Sequence, residues 1–277
     1  MGRPMAASWR RPFFEPMGRA ARVSWTLYTD AARSTEFPSE EELSEHGCPD
    51  GFEWPESLRI TANDLRGQPG AFVRGPIRAL ADEELPETAA RLDEATMELR
   101  IDGEIRDPST LAHLQAVRAL VRAYAARGAI AALEETAIRW FDAKDLSERP
   151  VAQRLNVEDW IVLVAEADPD PVFGSVMHTR GMRQFARPDL MLLGYPDAML
   201  GAATELLRRL ADVQAKGASF QAERPVLVAR LESGARAEVT LRGLLPGGNA
   251  PQVHLNNDGW LVTDYEGALA ALGAEID

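Results

Sequence analysis

Between an Asp107-Pro108 pair and Gly128, the residues Leu111, Leu114, Val117, Leu120, Val121 and Tyr124 recur at the spacing of one helix face, and short strand-like runs stand on either side. A helix with one apolar face must bury it. Strand, helix, strand in that order imply a right-handed crossover onto a single sheet. Residues 97–101 supply the strand before the helix, residues 130–133 the strand after it, and Trp140-Phe141 closes the unit. The same layout returns later without residue-level similarity. The apolar run 160–165 is the strongest candidate for a central strand. Leu200, Ala203, Leu206, Leu207, Leu210 and Val213 then form a second helix face between Asp197, a capping residue, and Lys216-Gly217. These patterns predict an α+β fold, with mostly antiparallel sheets, helices packed on one face and ferredoxin-like βαβ units.

The polar, Pro-bearing stretch 142–159 reads as a connector between two halves, an N-terminal α+β half over 23–145 and a C-terminal α+β half over 158–277. Residues 1–22 carry five arginines interleaved with Trp9, Phe13 and Phe14. They lack the apolar core of about 7 or more residues that a secretory signal needs, so a frayed N-terminal arm is expected. In the first half, 23–28 alternates as a half-buried strand, and 58–60 and 71–74 read as further short strands. A short helical piece is expected around 84–92. In the second half, 226–231 and 237–241 read as a hairpin, 253–255 and 260–262 flank a tight turn at 256–259, and Asp264 caps a last helix over 265–272.

Among 277 residues, 45% are apolar, enough for a substantial core. The formal charge of −13 argues against nucleic acid, whose binding requires Lys and Arg to neutralise phosphates, and is compatible with a basic protein partner. The same charge is also what keeps an ordinary protein soluble. A single cysteine, Cys48, rules out an internal disulfide and a Cys-rich zinc site, which points to a reducing, cytoplasmic setting. No apolar run approaches the ~20 residues of a membrane helix, so no membrane association is expected.

The densest set of functional-looking side chains lies in residues 172–196. Residues 172–178 read as a buried strand that delivers His178, Thr179 can cap a short helix, Pro188 stops it, and 190–193 returns as a strand. In that reading the free N–H groups of the helix start beside the imidazole form an anion-attracting corner. Gly181 permits close backbone approach, and Arg180, Arg183 and Arg187 share a helix face on which guanidinium forks can clamp phosphate or carboxylate oxygens. The candidate ligand-binding residues are therefore His178, Thr179, Arg180, Gly181, Arg183 and Arg187. The competing reading has the arginines paired with the many Asp and Glu residues and His178 packed in the interior.

Other groups have plainer explanations. Ser39 precedes Glu40, Glu41 and Glu42, which suits a helix cap with acids at the positive end of the dipole. His46 and Cys48 share a Gly- and Pro-bearing loop but lack a second ligand pair. His113 is offset from its helix's apolar face and reads as solvated, and His254 is placed on the last hairpin. The carboxylates of 166–171 fit a loop, and the glycines of 244–249 a turn. No metal, no cofactor and no catalytic residue is predicted.

Residues 177–190, MHTRGMRQFARPDL, resemble the phrase HT-x-G-[ML]-x-x-F-[GA]-x-P-[DE]-[LI] of bacterial domain-of-unknown-function proteins, and Arg127-Gly128-Ala129 with its helix and strand is also similar to theirs. The resemblance covers roughly residues 111–216. It implies a cytoplasmic α/β protein without an assigned reaction; some such families are suspected immunity or accessory proteins of bacterial toxin systems, and no catalytic residues come with it. The expectation is a non-enzymatic cytoplasmic binding protein, of toxin-immunity or accessory type, that meets a basic protein partner. The alternative is a receptor or enzyme for a small anionic ligand at the His178/Arg180 corner.

Overall fold

The computed structural model describes residues 7–30, 35–66, 74–166, 172–230, 236–244 and 259–276. The expected strands at 71–74 and 253–255, the 166–171 carboxylate loop, the 244–249 and 256–259 turns and His254 fall wholly or largely outside them. The fold is α+β, with seven helices and eleven strands in two mostly antiparallel sheets among the described residues. The chain divides into two compact units: residues 1–10 with 20–155, and residues 11–19 with 156–277.

In the first unit the strands β1 (Ala20–Thr29), β2 (Arg59–Asp64), β3 (Met97–Arg106), β4 (Ala129–Glu134) and β5 (Arg139–Asp142) form one sheet in the order β2-β3-β1-β4-β5. β1 pairs antiparallel with both β3 and β4, so those two run parallel with β1 between them. They are joined by helix α4 (Ala112–Ala126), which makes a split βαβ unit of the kind the sequence pattern implies. The helix begins later than the Asp107-Pro108 signal suggests, with Leu111 at its N-cap, and ends at Gly128, whose φ of +105° suits glycine. One sheet face carries Trp25, stacked on Phe141 at 5.5 Å, and Arg118 of α4 lies over both rings. The other face carries Tyr28, Leu133 and Trp140 against Ala81, Ala89 and Leu92 of helices α2 (Pro76–Glu84) and α3 (Pro86–Leu92). His113 corrects its sequence reading: it is buried, because nearly the whole circumference of α4 is covered.

Helix α1 (Glu40–Glu45) shows what the Ser39 signal encodes. Ser39 Oγ accepts from Glu42 N at 3.2 Å while the Glu42 carboxylate accepts from Ser39 N at 2.8 Å, a reciprocal capping box. Glu42 also pairs with Arg127, and these bonds, the Ser39 backbone first, hold its carboxyl down at about 2. Helix α5 (Ala143–Glu148) occupies part of the expected connector, and the division between units falls after it, between Leu155 and Asn156.

The second sheet runs β6-β7-β8-β11-β10-β9, formed by β6 (Val162–Ala165), β7 (Val176–Arg180), β8 (Leu190–Leu193), β9 (Val226–Arg230), β10 (Arg236–Gly243) and β11 (Trp260–Thr263). Only the β8–β11 pair is parallel. The apolar run expected to be central is β6, an edge strand; a short apolar run does not reveal its place in a sheet. Helix α6 (Leu200–Ala215) packs Leu206, Leu207 and Leu210 inward, preceded by a 3-10 turn at Asp197–Met199, and α7 (Glu266–Ile276) packs beside it.

The opening segment is not frayed where it is described. Trp9 is buried in the first unit, with its N–H on Gln115 Oε1 at 2.8 Å. Arg11 is buried in the second, donating from Nε to the Ala215 carbonyl at 3.2 Å and from Nη2 to the Phe185 carbonyl at 2.8 Å. Phe13 N and Glu15 N donate to the carbonyls of Lys216 and Gly217, both at 3.0 Å. Gly217 has φ +106°, and a Cβ there would stand 2.6 Å from Phe14 Cα, so the close approach of the two segments requires glycine.

Candidate functional site

The segment 176–193 is a hairpin, β7 to β8, and its geometry differs from the expected anion corner. The ordered strand starts at Val176 rather than Val172, which is 78% exposed. Thr179 and Arg180 belong to β7, and the only helical turn is a 3-10 turn at Met182–Phe185 that follows Gly181 at φ +107°. Thr179 is therefore not a helix cap. Its hydroxyl donates to Asp189 Oδ1 at 2.9 Å and accepts from Leu190 N at 2.9 Å, which ties the two ends of the hairpin.

Asp189 is the residue the sequence reading missed. Its Oδ1 also accepts from Met182 N at 3.2 Å, so the N–H group at the start of the turn already has an anion, supplied by the chain itself. Burial pushes the Asp189 carboxyl up to about 6, against the opposing pull of the Thr179 and Met182 hydrogen bonds and of Arg183 and Arg180. The signal was present in the Pro188-Asp189-Leu190 end of the motif. An acid that closes the turn, within reach of Arg183 and Arg180, is a natural internal counter-ion.

The three arginines do not form a stripe, because the segment is strand, 3-10 turn and extended chain rather than one helix. Arg180 sits at the end of β7 and Arg183 in the turn, both partly exposed. Arg187 is 1% exposed and donates to four carbonyls: Ala218 at 3.1 Å, Ala186 at 3.0 Å, Glu15 at 2.9 Å and Gly217 at 2.7 Å. It is a structural stitch. His178 is fully buried; its Nδ1 lies 3.2 Å from the Thr179 carbonyl, which can only accept, so Nδ1 carries the proton. Nε2 stands 3.7 Å from Glu166 Oε1, beyond hydrogen-bond range. Burial holds the imidazole below its ordinary range, with Arg180 adding in the same direction, and His178 is a neutral interior group.

A different site is open. In the first unit, helix α1 and the loop after it enclose a cavity of ≈ 230 Å³, lined among others by Glu40, Leu43, Cys48, Asp50, Phe52 and Trp54. The Trp54 indole is held edge-to-face by Phe52 at 5.1 Å and by Phe37 at 5.4 Å. Phe37 is 49% exposed, and Glu40 and Asp50 are exposed at the rim. Of the first-turn acids of α1, Glu42 is committed to the cap and to Arg127, whereas Glu40 lines the cavity. Burial, with Asp50 assisting, pushes the Cys48 thiol up to about 11, so the free side chain is protonated at neutral pH.

His46 and Cys48 line separate cavities, and among the described residues no group of three or more His, Cys, Asp or Glu side chains could hold a metal ion. The sequence reading weighed this loop only for His46 and Cys48; the signal it passed over was Phe52-x-Trp54 with Phe37 upstream. Among the described residues no helix is long and apolar enough to cross a membrane. Comparison with protein-family models, curated proteins and solved structures finds no match for this chain.

Proposed function

We propose that this chain is a non-enzymatic, cytoplasmic binding protein that captures a basic protein partner, with the cavity between α1 and residues 48–54 receiving a cationic side chain. The observation that supports this reading is the pairing of two carboxylates, Glu40 and Asp50, with the rings of Phe52 and Trp54 in one open cavity. A Lys or Arg side chain lays its apolar stem against such rings and its charged head between the acids. The cavity is smaller than the roughly 300–1,000 Å³ of a drug-sized ligand site, which favours one side chain over a whole metabolite.

The energies are modest. A cation–π contact at an exposed site contributes about 0.5–1 kcal/mol and an exposed ion pair about 0.2–1 kcal/mol. One pocket therefore anchors a larger interface rather than making it, and the net charge of −13 steers the encounter. The same charge disfavours nucleic acid as partner. In the immunity or accessory version of this reading, implied by the resemblance of residues 177–190, the basic partner is a toxin.

The test is a calorimetric titration with a short arginine-containing basic peptide. Trp54→Ala should weaken binding about two- to fivefold, as expected for losing about 0.5–1 kcal/mol of cation–π contact. Asp50→Asn should weaken it less, and raised salt should weaken binding to the unsubstituted protein. Equal affinity in Trp54→Ala would remove the pocket from the interface.

A further inference from the structure

The first unit buries an arginine without a carboxylate. Arg122, on α4, is 7% exposed, and its Nη2 donates to the carbonyls of Ser147, at 3.2 Å, and Arg149. Its Nε is buried and makes no hydrogen bond to the described residues. Burial lowers its basicity, and among the described residues no neighbouring acid offsets that effect. A desolvated guanidinium with only neutral carbonyl partners is an expensive arrangement, because carbonyls accept hydrogen bonds but do not balance the charge.

Arg122 lines a small cavity of ≈ 20 Å³ together with Arg118, His46, Gln115, Trp9 and Gly47, and the lining contains no carboxylate. Gln115 already accepts from Trp9 N at 2.8 Å through Oε1 and donates to the Ala7 carbonyl at 3.0 Å through Nε2, and as a neutral amide it brings no charge to balance the guanidinium. His46 adds no negative charge; burial first, then the nearby Arg122 charge, lower its pKa against the weaker opposing pull of Glu45 and Glu42, neither of which lines the cavity. The space accommodates one species of about the size of a water molecule. A water would satisfy the Nε–H and leave the charge unbalanced. A monovalent anion does both.

We propose that this cavity binds one small inorganic anion of halide size, held by the guanidinium groups of Arg122 and Arg118. The bound anion links α4 to the loop after α1, through Gly47, and to Val151 and Ala152. The contact between those two segments is already tight, since a Cβ on Gly47 would stand 2.4 Å from Val151 Cγ1.

The test compares thermal unfolding of the full chain in sodium chloride and in sodium gluconate at constant ionic strength. Chloride should raise the midpoint with the logarithm of its concentration, by about 3–6 °C at ten times its dissociation constant. Crystals soaked in bromide should show an anomalous peak between Arg118 and Arg122. Identical melting in the two salts, or no bromide peak there, overturns the proposal. Arg122→Gln should abolish the chloride response while circular dichroism shows the fold intact. A folded variant that keeps the response also overturns it, and if the variant does not fold, the bromide measurement on the unsubstituted protein decides.

Discussion

Asp189 ties protonation to stability. Its folded pKa, about 6, lies above the ordinary carboxylate value of 3.8. Between those two values the folded state holds the proton more tightly than the unfolded state, so the stability this group contributes is fully present below about pH 4, falls as pH rises through 6 and is lost beyond. A shift of this size corresponds to a loss on the order of 3 kcal/mol. Urea unfolding between pH 4 and pH 8 should show this decline, and Asp189→Asn should flatten it. A slope that Asp189→Asn leaves unchanged belongs to another group, of which the buried Glu134, raised to about 7 by burial, is the first candidate. Arg187 makes the complementary case. Arg187→Met removes a donor from the carbonyls of residues 15, 217 and 218, of which, among the described residues, only that of Gly217 keeps another, from Glu15 N, so we expect it to cost about 2–3 kcal/mol in denaturant unfolding. Arg187→Lys should recover only part, because an ammonium cannot reproduce the planar fork.

Local elements were legible wherever a single chemical rule decided them. The Ser39 cap, the termination of α4 at Gly128, the face of α6 and the β9–β10 hairpin all follow from caps, glycine and periodicity. Ser39→Ala should accordingly lower stability by about 1 kcal/mol, and should weaken basic-peptide binding too, since Glu40 and Leu43 of the same short helix line the cavity. What could not be read depends on neighbours remote in sequence. Nothing in 160–165 states that β6 lies at an edge. Nothing in Arg180, Arg183 and Arg187 states that Gly181 leads into one short 3-10 turn and then extended chain, which turns an expected helical stripe into one buried stitch and two partly exposed side chains. The anion corner failed for a related reason: its donors were real, but Asp189, seven positions beyond Met182, had already taken them. The aromatic cavity was passed over because Phe37, Phe52 and Trp54 come together only when α1 folds back on its loop.

At the level of the whole molecule, the chain crosses between its two units three times, after Arg10, after Arg19 and after Leu155. The second unit is therefore discontinuous. A fragment spanning 156–277 lacks the Glu15 carbonyl that receives Arg187 and the Arg11 side chain that ties the Phe185 and Ala215 carbonyls. We expect that fragment to unfold at lower temperature than the same unit in the intact chain, and a synthetic peptide of residues 7–19 added in trans to raise its melting point. No response to the peptide would show that the opening segment decorates the second unit rather than completing it.

The bond from Arg11 Nε to the Ala215 carbonyl spans 204 positions. During translation at about 5–20 residues per second, residues 11–19 emerge roughly 10–40 s before their partners are synthesised. Over that interval Arg11 and Phe14 hang from the ribosome with nowhere to dock, while the stretch from 20 to 155 is already able to collapse. Residues 11–19, made well before their partners, are thus among the last to settle, and they form the segment a nascent-chain chaperone would find waiting.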